Sequence, residues 1–252
     1  MTTLAVLVIF QPFVDLAEAI IKFFAETVGL SWGLSIVMLT LTVRLLTLPL
    51  SLTGIRSMRR MQLVAPELKA VQAKYKDDKE RQQREMLALY KSHGVNPLAS
   101  CFPFLLQIPF FIAVYSLLRG AAFKEDVLSS GSAVDFLGVS NILQAPEGAE
   151  KWVLIVLFIS TTVLTFLYTT ATTQTATGAQ RYIFLALPLL FAPVIANQPA
   201  GLAVYWITTN LWSLGQQVVI QQIMPMPTPP TPEEKAATAP PPPPPRKKKK
   251  RR

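Results

Sequence analysis

Five stretches of this chain are mostly apolar and almost free of charge: 31–53, 98–118, 152–171, 182–196 and 200–220. A helix needs about 20 such residues to cross a bilayer. The fourth stretch is short and holds Pro188 and Pro193. Half of the 252 residues are hydrophobic (51%), and they cluster rather than scatter. These runs set the expected fold class, an all-α polytopic membrane protein. Read as spans, they cover 31–53, 98–119, 151–173, 181–197 and 200–222.

Charge orients the spans. Positions 54–97 hold ten Lys or Arg and five acids, whereas 120–150 holds Lys124 and five acids. Basic loops stay on the cytoplasmic side. The 54–97 segment and the C-terminus are therefore expected inside, the 120–150 loop outside, and the N-terminus outside. Residues 1–10 are apolar but lack a basic leading region, a poor secretory signal.

Residues 1–30 form an N-terminal segment of a different kind. Asp15, Glu18, Lys22 and Glu26 recur at helical steps, with Phe13, Leu16, Ala17, Ile20, Phe23 and Phe24 opposite. That pattern predicts an amphipathic helix in the membrane interface, with Gly29 as its stop. Segment 54–97 predicts a cytoplasmic helical hairpin. Met58, Met61, Leu63, Val64, Leu68 and Val71 mark one thin apolar face, and Met86, Leu87, Leu89 and Tyr90 the other. The turn falls at YKDDKE, where Asp77 and Asp78 suit turns or N-caps. Residues 223–252 are proline-rich and end in Arg246, Lys247, Lys248, Lys249, Lys250, Arg251 and Arg252. Such an arm is expected to be disordered, and its polycation can meet anionic lipid or nucleic-acid phosphates.

One residue does not fit its surroundings. Arg44 sits inside the first run, in LTVRLLTLPL. On a straight helix it lies about 18 Å from Arg56, near the midplane of a core roughly 30 Å thick. A central arginine costs about 2.5–3.5 kcal/mol on insertion scales. The cost is tolerable where the side chain faces protein or water. Thr40, Arg44, Thr47 and Ser51 make one polar stripe on that helix. Thr161, Thr165, Thr169 and Thr172 make another, and Trp206, Asn210, Ser213 and Gln217 a third, with Gln107 alone in the second span. Three such stripes can enclose a wet cavity in which Arg44 is the charge. The competing reading is that the Thr and Ser hydroxyls bond their own backbone and help helices pack.

Chemistry is otherwise sparse. One cysteine, Cys101, and one histidine, His93, make neither a disulfide nor a metal site. No His, Cys or carboxylate sits by Arg44 to act as base or nucleophile, and no glycine-rich phosphate loop is present. No cofactor and no enzymatic reaction are expected.

Three segments resemble the YidC/Oxa/Alb membrane protein insertases, in that family's order: VRLLTLPLSLTGIRSMRRMQLVAPELKAVQAKYKDD (43–78), NPLASCFPFLLQIPFFIAVYSLLRG (96–120) and NQPAGLAVYWITTNLWSLGQQ (197–217). The resemblance covers roughly residues 12–222 and looks like the short, Gram-positive or actinobacterial type. It implies five transmembrane helices around a hydrophilic groove open to the cytoplasm, with Arg44 as the groove charge. It also implies a hairpin that first contacts substrate and a basic tail that binds ribosomes. Groove residues expected to meet substrate are Arg44, Thr40, Thr47, Gln107, Thr161, Thr165, Trp206, Asn210 and Ser213. The implied partners are nascent membrane proteins, the ribosome and membrane lipids, with the Sec translocon as a further candidate. Two other readings compete with insertion: an anion-binding transporter and a structural assembly factor.

Overall fold

The computed structural model describes residues 2–94, 102–131, 133–173 and 178–223. Cys101 and the basic tail from Arg246 to Arg252 lie outside the described residues. Within them the chain is helical, with no strand and one isolated bridge between Phe136 and Val139.

The helices are α1 (Thr2–Lys22), α2 (Trp32–Leu46), α3 (Leu48–Lys74), α4 (Lys79–Ser92), α5 (Phe102–Arg119), α6 (Ala121–Ser129), α7 (Gly148–Thr173), α8 (Gly178–Ile195) and α9 (Ala200–Ile223). A π turn, Phe23–Thr27, extends α1. Gly29 adopts φ +80°, which lets the chain reverse so that Leu30 N–H reaches the Phe24 carbonyl at 3.0 Å. Ser31 then caps α2 by accepting from Leu34 N–H.

The core is built where α1, α2, α5, α7 and α9 meet. Trp32, Ile36, Leu39 and Val43 put a helical stripe of α2 into it, and Val114 and Leu118 of α5 and Leu202 of α9 meet that stripe. Trp32 also packs edge-on against Phe123 of α6 at 5.7 Å and donates to the Ser130 hydroxyl. Close approach needs small residues: a Cβ on Gly201 would lie 2.8 Å from Ile36 Cδ1.

The outside of the bundle is apolar as well. On α7, Trp152, Val153, Val156, Leu157 and Leu164 are all exposed. An exposed apolar stripe of that length, interrupted on this face by Ser160, is what a lipid-facing helix carries. By length and composition, α7 is apolar enough over Gly148–Ala171 to cross a bilayer as one helix. The pairs α2–α3 and α5–α6 meet the same test only as bent pairs, at 57° and 63°. Helix α9 is long enough, but Thr208, Thr209, Asn210, Ser213, Gln216 and Gln217 dilute its apolar character.

The helix after the first bend runs without interruption from Leu48 into the basic segment, so the first structural break falls at Thr47 rather than near residue 53. Helices α3 and α4 pair through Val64 and Leu68 against Met86, Leu89 and Tyr90. Asp78 caps α4 by accepting from Arg81 N–H at 2.9 Å. Leu63 and Leu87 stay exposed, and the pair is held by few apolar contacts. Arg59 of α3 donates to the Ile220 carbonyl near the end of α9 at 3.2 Å.

Candidate functional site

Arg44 stands in the last turn of α2. One residue past that helix, the Thr47 hydroxyl and N–H both bond the Val43 carbonyl, at 2.8 and 2.9 Å. Pro49 follows in the first turn of α3 and has no N–H to continue the ladder. The axes of α2 and α3 accordingly diverge by 57°. The straight-helix distance from Arg44 to Arg56 is thereby corrected, because the two residues do not share an axis. The guanidinium sits instead at the carbonyl end of α2, where the helix dipole favours a cation by about 0.3–1 kcal/mol.

Arg44 is half-buried. Its Nε is buried and has no hydrogen-bond partner. Among the described residues it makes no ion pair. The phenol of Tyr205 on α9 lies within range of its charge. Tyr205 is 2% exposed and accepts a hydrogen bond from the Gln107 side-chain amide of α5. Arg44, Gln107 and Tyr205 thus bring α2, α5 and α9 to one place.

The other stripe residues behave differently from one another. Thr40 is buried, and its hydroxyl bonds the Ile36 carbonyl at 2.8 Å. Ser51 bonds the Thr47 carbonyl at 3.0 Å. Ser213 bonds the Thr209 carbonyl at 2.8 Å. Trp206 is held by T-shaped contacts to Phe111 of α5 and Phe158 of α7, at 5.4 and 5.6 Å.

Thr161, Thr165 and Asn210 come together between α7 and α9. The Asn210 amide donates to Thr162 Oγ1 at 2.8 Å and to Thr161 Oγ1 at 3.4 Å. The Thr165 hydroxyl donates to the Thr161 carbonyl at 2.8 Å and reaches the Asn210 carbonyl at 3.3 Å. Further along, Thr169 donates to Gln217 Oε1 and Tyr168 to Gln221 Oε1, at 2.7 and 2.8 Å. The polar stripes of α7 and α9 therefore bond each other in a seam rather than both facing open space. Arg44 has no contact of this kind with the seam.

Sequence reasoning missed Tyr205, Thr162, Tyr168 and Gln221. A signal beside Tyr205 was present: Ala200, Gly201 and Ala203 precede it, and small residues let helix backbones approach closely. Thr162 and Gln221 gave none, since their partners depend on how α7 and α9 are rotated.

Comparison with known proteins agrees with this architecture. A family model described as "60Kd inner membrane protein" matches residues 23–227. A membrane protein insertase YidC of Streptomyces avermitilis is 33% identical over 234 residues, 82% of this chain and 55% of the relative. One of Helicobacter pylori is 35% identical over 195 residues, 77% and 34% of the two chains. One of Chlamydia trachomatis is 33% identical over 224 residues, 85% and 28%. The chain therefore spans about half, or less, of the length of these relatives. An active YidC insertase crystal structure with its first transmembrane domain resolved matches at TM-score 0.63 and 27% identity, over 82% of this chain and 45% of that one. With the family model running through every described helix from the π turn to α9, the chain belongs to the 60Kd inner membrane protein family, that of the YidC membrane protein insertases.

Proposed function

We propose that the chain is a membrane protein insertase whose working element is the unpaired guanidinium of Arg44. The observation that carries this reading is the buried, unpartnered Nε of Arg44, which has no ion pair among the described residues and acts on the Tyr205 phenol through its charge. A guanidinium near the middle of a bilayer costs about 2.5–3.5 kcal/mol, and the dipole of α2 offsets about 0.3–1 kcal/mol of that. The remainder is met by water or by a polar segment that arrives from outside the protein.

In this reading five spans, near 31–53, 98–119, 151–173, 181–197 and 200–222, surround a groove open to the cytoplasm. The N-terminus lies outside the cell membrane and the basic tail inside. The bent pairs α2–α3 and α5–α6, the lipid-facing stripe of α7 and the charge bias of the loops support that arrangement. The hairpin α3–α4 meets the nascent chain first. Its polar tail or loop then enters the groove, where Arg44, with Thr40, Thr47 and Gln107 around it, lowers the cost of desolvation. Trp206 and the seam residues Thr161, Thr165 and Asn210 keep α7 and α9 together as the wall past which the apolar segment leaves, and Ser213 stands on that wall bonded to its own helix. Hydrophobic transfer to lipid, and the membrane potential acting on acidic tails, complete the step. No bond is made or broken, so the reading needs no catalytic residue and no cofactor. Arg246 to Arg252 supply the ribosome contact, and membrane lipids and the Sec translocon are further candidate partners.

The test is insertion of a single-span substrate with an acidic tail into vesicles holding the purified protein. Arg44→Lys is expected to retain most insertion and Arg44→Ala to lose it. Equal insertion by Arg44→Ala and the unaltered chain would sink the role given to this charge. Solute flux through the same vesicles separates insertion from anion transport.

A further inference from the structure

Residues 136–139 make a tight turn whose chemistry fits lipid and not water. Phe136 and Val139 exchange both backbone hydrogen bonds, each at 2.9 Å. The two residues between them have φ +47° (Leu137) and +85° (Gly138). Positive φ at both centres defines the turn that favours Asn-Gly. Leucine is a poor choice there, since its Cβ crowds the backbone at positive φ. Leu137 is also 88% exposed, the largest exposure of any large hydrophobic residue in the described chain. In water an asparagine would suit both the backbone and the solvent better. A strained, exposed leucine points to a role for the side chain itself.

The turn is held in place by the beginnings of three helices. Phe136 packs on Gly33 at the start of α2, where an added Cβ would come within 2.3 Å of the Phe136 Cβ. Ser140 donates its N–H and its hydroxyl to Glu150 Oε2 in the first turn of α7, at 2.7 and 2.8 Å. The Ile142 and Gln144 carbonyls accept from Gly201 and Ala200 at the start of α9, both at 2.8 Å. Position 137 is therefore fixed at the end of the bundle where α2, α7 and α9 begin. Trp152, one turn into α7, is 67% exposed at that same end. An exposed tryptophan at the start of a lipid-facing helix marks the level of the membrane interface.

We infer that the Phe136–Val139 turn is a membrane contact, with Leu137 seated among lipid chains at the outer interface beside the starts of α2, α7 and α9. This rests on the membrane-spanning reading above. The occupant is lipid, because the turn stands at the same helix starts as the exposed Trp152 and presents one apolar side chain rather than a groove. A contact of this kind anchors the loop and leaves the helix starts in register with the bilayer.

The experiment uses the full chain with Cys101→Ser, which removes its one cysteine. Single cysteines carrying an environment-sensitive fluorophore are then placed by Leu137→Cys, by Val156→Cys on the exposed face of α7, and by Leu87→Cys on α4. Each protein is reconstituted in phosphatidylcholine–phosphatidylglycerol vesicles. The expected result at 137 is emission shifted to the blue of the Leu87 probe, quenched by lipids spin-labelled near the headgroup and protected from iodide. Iodide quenching at 137 as strong as at 87, with the 156 probe in lipid, overturns this inference and leaves the spans intact. A blue-shifted 137 probe that neither quencher reaches overturns it too, since protein then covers the site. Iodide access at 156 defeats the spanning reading itself. Leu137→Asn provides a second check: its unfolding temperature in vesicles is expected to fall despite the better turn residue, and a rise overturns the lipid contact.

Discussion

The side-chain amide of Gln107 on α5 donates to the phenol oxygen of Tyr205 on α9, inside the bundle and within range of the Arg44 charge. Replacing either partner takes this bond from the other, Tyr205 in the buried core and Gln107 half-buried at its edge. Tyr205→Phe is expected to destabilise the fold by about 0.5–1.5 kcal/mol, the net worth of a hydrogen bond whose donor, Gln107, is only part-buried. Thermal unfolding in a bilayer mimetic measures it. A change under a few tenths would mean that Gln107 finds water instead.

Asn210 joins α9 to both Thr161 and Thr162 on α7. Hydrogen bonds between membrane helices are worth about 0.6 kcal/mol on average and up to about 1.7. Asn210→Leu is expected to cost within that range in unfolding while leaving the helix content unchanged. A double-mutant cycle with Thr162→Val isolates the pair, and zero coupling would deny the bond any energetic role.

Gly201 allows α9 to approach α2. An added methyl group would lie 2.8 Å from Ile36 Cδ1, 3.1 Å from the Ile142 carbonyl oxygen and 3.2 Å from Leu118 Cδ1. The two side chains can shift, but the carbonyl is tied to Gly201's own N–H at 2.8 Å. Gly201→Ala is expected to lose about 1–3 kcal/mol, the usual range for overpacking a tight core, read as a lowered unfolding temperature. Gly215 has open space around its position, so Gly215→Ala serves as a control and is expected to be neutral or slightly stabilising.

Lys22 at the end of α1 bonds Asp126 of α6 at 2.6 Å and Glu18 at 2.8 Å. The Asp126 carboxylate, then that of Glu18, holds the Lys22 ammonium above the ordinary lysine range. A raised value means that the stabilisation is complete below the ordinary lysine value and is lost as pH rises through the folded one. Both groups are partly open to solvent, so the Lys22–Asp126 coupling is expected at about 0.2–1 kcal/mol. It should be equal at pH 7 and pH 9 and weaker at high salt. A cycle of Lys22→Met and Asp126→Asn, read by thermal unfolding, checks both dependences.

Some of this molecule could be read along the chain and some could not. The apolar runs announced helices, and among the described residues the helices are there without strands. Asp78 announced a turn or cap in YKDDKE and it caps α4. Pro49 carried the signal for the break at Thr47, but a hydropathy pattern sums residues without asking whether the backbone ladder is continuous. The polar stripes were visible as stripes. Their roles were not, since a helical period places Thr161, Thr165 and Asn210 on faces without saying which faces meet.

The sequence by itself determined that the chain is helical, that its apolar surface is too long for water, and that one guanidinium sits in an apolar run without an acid nearby. Those are properties of composition and spacing, which are local. Only the tertiary structure decided that α7 and α9 join their polar stripes, that Gln107 finds Tyr205, and that Arg44 keeps a buried nitrogen unpaired. Which donor meets which acceptor depends on the rotation and crossing of two helices. Those are set by packing around residues such as Gly201 and Ile36, far apart in the chain and in contact only once it has folded.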